Sequence, residues 1–399
     1  MNDYAEEKRF MELLCSVKGL NGSVGRSLIE YFGSAENIFG ADEKTLSGLL
    51  TPALSKNLNN LRRSLSDTEK SLKKKTAAGC SANGINFITF REPAFPDKLS
   101  EIPDAPVGLW YIGSLPSPDL PSVAVIGARE CSSYGECVAK SLGAALGRAK
   151  VQVISGMARG IDGISQQAAQ DEGGLSYGIL GSGADVCYPP SNRRLYDSLC
   201  TGGGIISIYP PGEMALPQNF PPRNRIVSGL ADAVVVVEAR QKSGTLITVD
   251  MALEQGREVY AVPGRITDRL SDGCNGLIGQ GANVFLSPDI FLAELSEIID
   301  SKKNGGSPPR EERIKRRSTC SSRIKKLHRE YSGSRDLPPD LSDDEVKVLS
   351  VLGLTPLSAQ DIISRLKEYD YPAVSMILMQ LLIEGHAAQV GQGSFIRKY

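Results

Sequence analysis

The chain has 399 residues, more than one ordinary core accommodates, so two or three domains are expected. With 41% apolar and 23% charged residues it has the composition of a soluble globular protein, and its formal net charge of −1 excludes a globally basic nucleic-acid binder. Any surface for a polyanion has to be local.

The opening "MNDYAEEKRF" lacks the apolar segment of a signal peptide, and no window approaches the about 18 apolar residues of a membrane span, so a cytoplasmic location is expected. The eight cysteines form no CxxC pair and read as reduced thiols. The only histidines, His328 and His386, lie outside the expected αβ core. That rules out a Ser-His or Cys-His nucleophile pair there and leaves no zinc-ligand spacing.

Residues 1–78 read as helical. Within them "SVKGLNGSVGRSLIEYFG" places glycines at 19, 22 and 25 between two helical patterns, a spacing like that of a helix-hairpin-helix. Such a turn presents backbone N–H groups to a DNA phosphate, and Lys18 and Arg26 suit that role. The bland alternative is a helical turn that needs glycine.

Residues 79–298 alternate short apolar runs with helical stretches. The runs are "SVAVIG", "VQVIS", "LSYGIL", "GIISIY", "AVVVVEA" and "EVYAVP". This predicts a Rossmann-like, doubly wound, mostly parallel sheet of the α/β class, with "FITF" and "GLWYIG" adding edge strands. Residues 299–340 form a basic, Ser/Gly/Pro-rich linker, read as a solvated tether that could also attract nucleic acid. Residues 341–399 contain three helices and a hairpin, a winged helix. A capping box is expected at Ser342 and Glu345, and another helix starts at Ser358. Its third helix offers Gln380 and Glu384 but no basic residue, so a protein-contact role is favoured over duplex reading.

Four turns of the central domain carry cations: Gly127 to Arg129 in "VIGARECSSYG"; Ser155, Gly156 and Arg159 in "VISGMARGIDG"; Arg223, Asn224 and Arg225 in "FPPRNRIVSG"; and Lys242, Ser243, Gly244 and Thr245 in "EARQKSGTLIT". Each is weak alone. Their convergence at strand ends suggests a basic pocket for phosphates. No G-x-x-x-x-G-K-[ST] and no G-x-G-x-x-G accompanies them, so neither a P-loop ATPase nor a dinucleotide cofactor is expected. Asp162, Asp185, Glu238 and Asp250 lie near the turns without forming an acid–base pair. Asp162 is expected to cap a helix.

In this order, "VIGARECSSYG", "SGMARGIDGISQQAA", "GSGADVCYPPSNRRL", "YPPGEMALPQNFPPRNRIVSGLADAVVVVEA", "KSGTLIT" and "ALEQGREVYAVPG" resemble the DNA-processing protein A (DprA, or Smf) family over about residues 84 to 290. The resemblance implies a single-stranded-DNA-binding protein of natural transformation. It would form a homodimer, protect incoming strands and help load the RecA recombinase, and members are not known as enzymes; from the motifs and ligand spacing above, no cofactor and no metal are expected. Carried over residue by residue, it implies a DNA pocket lined by Gly127, Arg129, Arg223, Asn224, Arg225, Lys242, Ser243, Gly244 and Thr245, with Ser155, Gly156 and Arg159 as additions. Ala128 departs from the family's usual serine and removes one hydroxyl donor, and the long basic linker is not a feature associated with the family. Phe220 is the candidate for base stacking, Pro221 and Pro222 stiffen the approach to Arg223, and the alternative to a DNA contact for Arg225 is a pair with a carboxylate that holds the turn. Two rivals stand beside this reading. One is an enzyme of the nucleotide-phosphoribohydrolase type, with Glu254 as its carboxylate, although "RQKSGT" lacks the two glycines of the P-G-G-x-G-T turn. The other is a winged-helix regulatory adaptor.

Overall fold

The computed structural model describes residues 2–66, 84–303, 341–352, 357–389 and 394–397. The chain divides into two compact units, Met1–Arg317 and Ser318–Tyr399. Most of the basic linker lies outside the described residues.

The first unit opens with helices α1 (Asn2–Cys15), α2 (Gly22–Phe32), α3 (Ala35–Gly40), α4 (Glu43–Leu49) and α5 (Pro52–Ser66). Side chains of Asn21, Ser34 and Asp42 accept the backbone N–H three residues on and so start α2, α3 and α4. The sheet follows as β1 (Asn86–Thr89), β2 (Gly108–Gly113), β3 (Ser122–Ile126), β4 (Gln152–Ser155), β5 (Ser176–Leu180), β6 (Gly203–Ser207), β7 (Ala233–Val236), β8 (Glu258–Ala261) and β9 (Asn283–Val284). The helices between them are α6 (Asp97–Ser100), α7 (Ser133–Arg148), α8 (Ile161–Asp171), α9 (Arg193–Leu199), α10 (Phe220–Gly229), α11 (Gly244–Glu254) and α12 (Asp272–Gly279). Helix α13 (Pro288–Lys303) follows β9.

Strand order is β1-β2-β6-β5-β4-β3-β7-β8-β9. The seven strands β3 to β9 pair in parallel, and β1 and β2 join antiparallel at one edge, where the sequence reading places extra strands.

The period of two along each strand divides the core. Val123, Val125, Val153, Val235 and Val237 share a cluster with Ala139 and Leu142 of α7 and Ala169 of α8. Ala124, Ile126, Ile154, Val234 and Val236 face the other way, with Ile226 of α10 and Val249 and Ala252 of α11. Burying each such valine contributes about 1.5–3 kcal/mol before chain entropy is counted. A third cluster joins the helical front to the sheet edge: Met11, Leu14, Leu28, Ile38 and Leu58 pack with Phe87 and Trp110, whose ring centroids are 4.8 Å apart.

The second unit contains α14 (Asp343–Val351), β10 (Leu357–Ser358), α15 (Ala359–Leu366), α16 (Tyr371–Ile383), β11 (Ala387–Gln389) and β12 (Ser394–Arg397), with strand order β10-β12-β11. Val348, Leu349, Ile362, Val374, Leu378 and Leu381 fill its core. Both Ser342–Glu345 and Ser358–Asp361 form reciprocal capping boxes. This is a winged helix.

Candidate nucleic-acid interface

The chain leaves β3 for β4 on one side and returns to β7 on the other, so the crevice between β3 and β7 is the sheet's switch point. The four cation-bearing turns meet around it, and hydrogen bonds tie each to the next. Thr245 Oγ1 donates to the Gly127 carbonyl at 3.2 Å. The Ile161 N–H donates to the Ala128 carbonyl at 3.2 Å. Arg223 donates to the carbonyls of Gly156, at 2.6 Å, and Ile179. The close approaches explain two glycines. A Cβ on Gly156 would lie 2.5 Å from the Arg223 guanidinium, and Gly160, at φ 75°, packs against the Ala128 and Arg129 carbonyls.

The expected contact residues separate into two groups. Arg129, Arg159, Lys242 and Gly244 are exposed, and Gly127, Asn224, Ser243 and Thr245 are half-buried beside them. Among the described residues, no carboxylate lies within ion-pair distance of Arg129, Arg159, Lys242 or the neighbouring Arg240. Ser243 caps α11, its hydroxyl accepting from the Thr245 N–H at 3.2 Å.

Ser155, Gly156, Arg223 and Arg225 are turned inward, and here the structure departs from the sequence reading. The Ser155 hydroxyl donates to the Val125 carbonyl at 2.6 Å and is fully buried. Arg223 is 5% exposed, and burial pushes its guanidinium down to about 10 against the opposing pull of the Asp162 carboxylate. Arg225 pairs with Asp104. A guanidinium at the start of a helix is as useful for holding loops together as for meeting a ligand, and residue type alone does not separate the two.

The carboxylates follow the same pattern. Asp162 is not the cap of α8, because Gly160 occupies that position. Its side chain accepts the Gly156 N–H at 3.1 Å, and burial raises its carboxyl above the usual range. Glu238, fully buried at the end of β7, accepts the N–H of Ser132 at 2.9 Å and its hydroxyl. Asp185 accepts the Gly212 N–H at 2.8 Å. Glu254 ends α11, about 15 Å along the helix from Gly244, too far to act at that turn.

The Phe220 ring is half-buried and already in company. The Arg129 and Arg223 guanidinium carbons lie 5.5 and 5.6 Å from its centroid, and the Tyr188 ring centroid is 5.8 Å away at 40°. Pro221 and Pro222 sit in the first turn of α10, where a missing N–H costs nothing.

Sequence reasoning missed Asp104. One oxygen pairs with Arg225 and the other accepts the Ser23 N–H at 2.6 Å, in the first turn of α2. Gly22 packs against the Ala105 carbonyl, and Arg26 donates to the Pro106 carbonyl at 3.0 Å. The glycine-rich hairpin is thus docked on the loop at 104–106. Asn192 was also missed. Its amide donates to the carbonyls of Met157, at φ 53°, and Ala158, both at 3.0 Å, pinning the second turn.

Comparison with known proteins adds the family. The DNA recombination-mediator protein A family matches residues 86–296, and the DprA winged helix domain matches residues 333–393. The chain is 44% identical over 203 residues to the DNA processing protein DprA of Streptococcus pneumoniae, covering 51% of this chain and 72% of the relative. It is 38% identical over 216 residues to the protein Smf of Synechocystis, covering 53% of this chain and 54% of the relative. The X-ray structure of the Streptococcus pneumoniae DprA superposes with a TM-score of 0.61 at 34% identity, covering 72% of this chain and 97% of that one. The matched region contains all four turns, and the chain belongs to the DNA recombination-mediator protein A family.

Proposed function

We propose that the chain binds single-stranded DNA across the carboxyl edge of the sheet at the β3–β7 crevice and acts there as a recombination mediator of natural transformation. In this reading it protects incoming strands and helps load the RecA recombinase, working as a homodimer and without catalysing a reaction.

One observation carries the binding step. The four turns are tied into a single framework that presents Arg129, Arg159, Arg240 and Lys242 with no carboxylate within ion-pair distance among the described residues. Cations held along a groove, with aromatic rings beside them, suit a flexible phosphodiester whose bases are unpaired. The roles divide accordingly. Arg129, Arg159 and Lys242 contact phosphates. Gly127, Gly244, Ser243, Thr245 and Asn224 shape the turns around them. Ser155, Gly156 and Arg223 hold the framework from behind.

A salt titration with a labelled oligothymidylate tests this. Arg129→Ala and Lys242→Ala should each weaken binding and lower the slope of log affinity against log salt by about 0.7. Arg225→Ala, whose guanidinium meets Asp104, should leave the slope unchanged. Unaltered affinity and slope in both of the first two variants would remove the crevice as the binding site.

A further inference from the structure

The chain contains the pattern aromatic-Pro-Pro-x-Asn-Arg twice, as "FPPRNR" from Phe220 and as "YPPSNR" from Tyr188. The fold brings the two together. The rings of Tyr188 and Phe220 meet at 5.8 Å, and Asn192 of the earlier copy is bonded to the Met157 and Ala158 carbonyls beside Arg159. The loop after β5 is therefore a fifth segment of the same framework, anchored at two points.

The two rings differ in what remains open. Phe220 is half-buried, with two guanidinium groups near its ring and Gly181 packed against its edge. Tyr188 is 43% exposed, and its hydroxyl has no hydrogen-bond partner among the described residues. A base needs an open aromatic face on a support that does not move. Tyr188 offers exposed ring surface, and the Phe220 ring, tilted at 40° beside it, is the support. The neighbouring Arg129, 5.5 Å from the Phe220 centroid, places a phosphate contact within one nucleotide of such a stack.

We infer that Tyr188 is a nucleobase-stacking residue of the interface, so that the stacking role the sequence suggests for Phe220 belongs to Tyr188, with Phe220 as its pedestal. This rests on the single-strand reading above. It adds that the site reads the presence of a base as well as the charge of the backbone.

The test compares an oligothymidylate with an abasic oligomer of the same length and charge, binding each to the parent, Tyr188→Ala and Tyr188→Phe. Tyr188→Ala should lose about tenfold in affinity for the oligothymidylate and less than about twofold for the abasic strand, while Tyr188→Phe keeps parental values for both. If Tyr188→Ala loses nothing, or loses equally on both oligomers, the stacking role is overturned while the crevice reading stands. A parent protein that binds neither oligomer overturns the crevice reading and the inference with it.

Discussion

Arg223 and Arg129 both lie near the Phe220 ring and have opposite fates. Arg129 is exposed, while Arg223 is embedded, its Nη1 donating to the carbonyls of both Gly156 and Ile179. Truncating Arg223 to alanine removes its hydrogen bonds to those two carbonyls and the charge facing Asp162. A loss of roughly 3–5 kcal/mol in urea-induced unfolding is the expected result, and Arg223→Lys should recover only part of it, because an ammonium lacks the Nε–H that donates to the Asn224 side chain at 3.2 Å. A loss under about 1 kcal/mol would show that the buried guanidinium is not what holds the turns. The sequence shows cations next to glycines and a buried strand, and that much was legible. Which way each guanidinium points was not, because the deciding partners are backbone carbonyls and, for Arg225, an aspartate far away in the chain.

At the scale of elements, strands β1 to β8 and their order of appearance were readable as short apolar runs, whereas β9, two exposed residues, was not. Turn chemistry was readable where the capping group is local. The Ser342–Glu345 box predicted from spacing is present, and Ser358–Asp361 repeats it on α15. These boxes carry a pH signature. Hydrogen bonds from the Ser342 side chain and backbone hold the Glu345 carboxyl below its ordinary value. A depressed carboxyl contributes to folding above its unfolded-state value, and that contribution is lost as pH falls through the folded one. In Ser342→Ala the Glu345 carboxyl should titrate higher, toward the ordinary glutamate value, in a carbon-detected NMR titration. An unmoved midpoint would mean that the cap does not set it. Asp162 shows where local reasoning stopped: it occupies the second position of α8, but its partner is the N–H of Gly156, across a turn.

At the scale of the whole molecule, the chain divides into two compact units. The winged-helix unit presents Met376, Met379 and Ile383 along α16, each more than 60% exposed, where a duplex-reading helix would present donors. Gln380 on that helix is bonded to Glu384 at 2.6 Å. Deleting residues 341–399 should therefore leave oligothymidylate affinity and salt slope at parental values, as read by fluorescence anisotropy. A collapse of binding would relocate the interface to the winged helix. The mostly parallel sheet was legible because its strands are apolar throughout, and the packing of the helical front against β1 and β2 was not, because no short-range pattern encodes it.

That packing has a further meaning. In α2 the N–H of Ser23, at the glycine-rich turn that resembles a phosphate-gripping hairpin, is met by the Asp104 carboxylate, which also neutralises Arg225. Asp104 thus gives that N–H, from within the chain, the kind of anionic partner that a phosphate would give it from outside. That contact is an internal rivet, fastening the helical front to Arg225 in the second turn of α10 by the same physics that the crevice offers to an external strand.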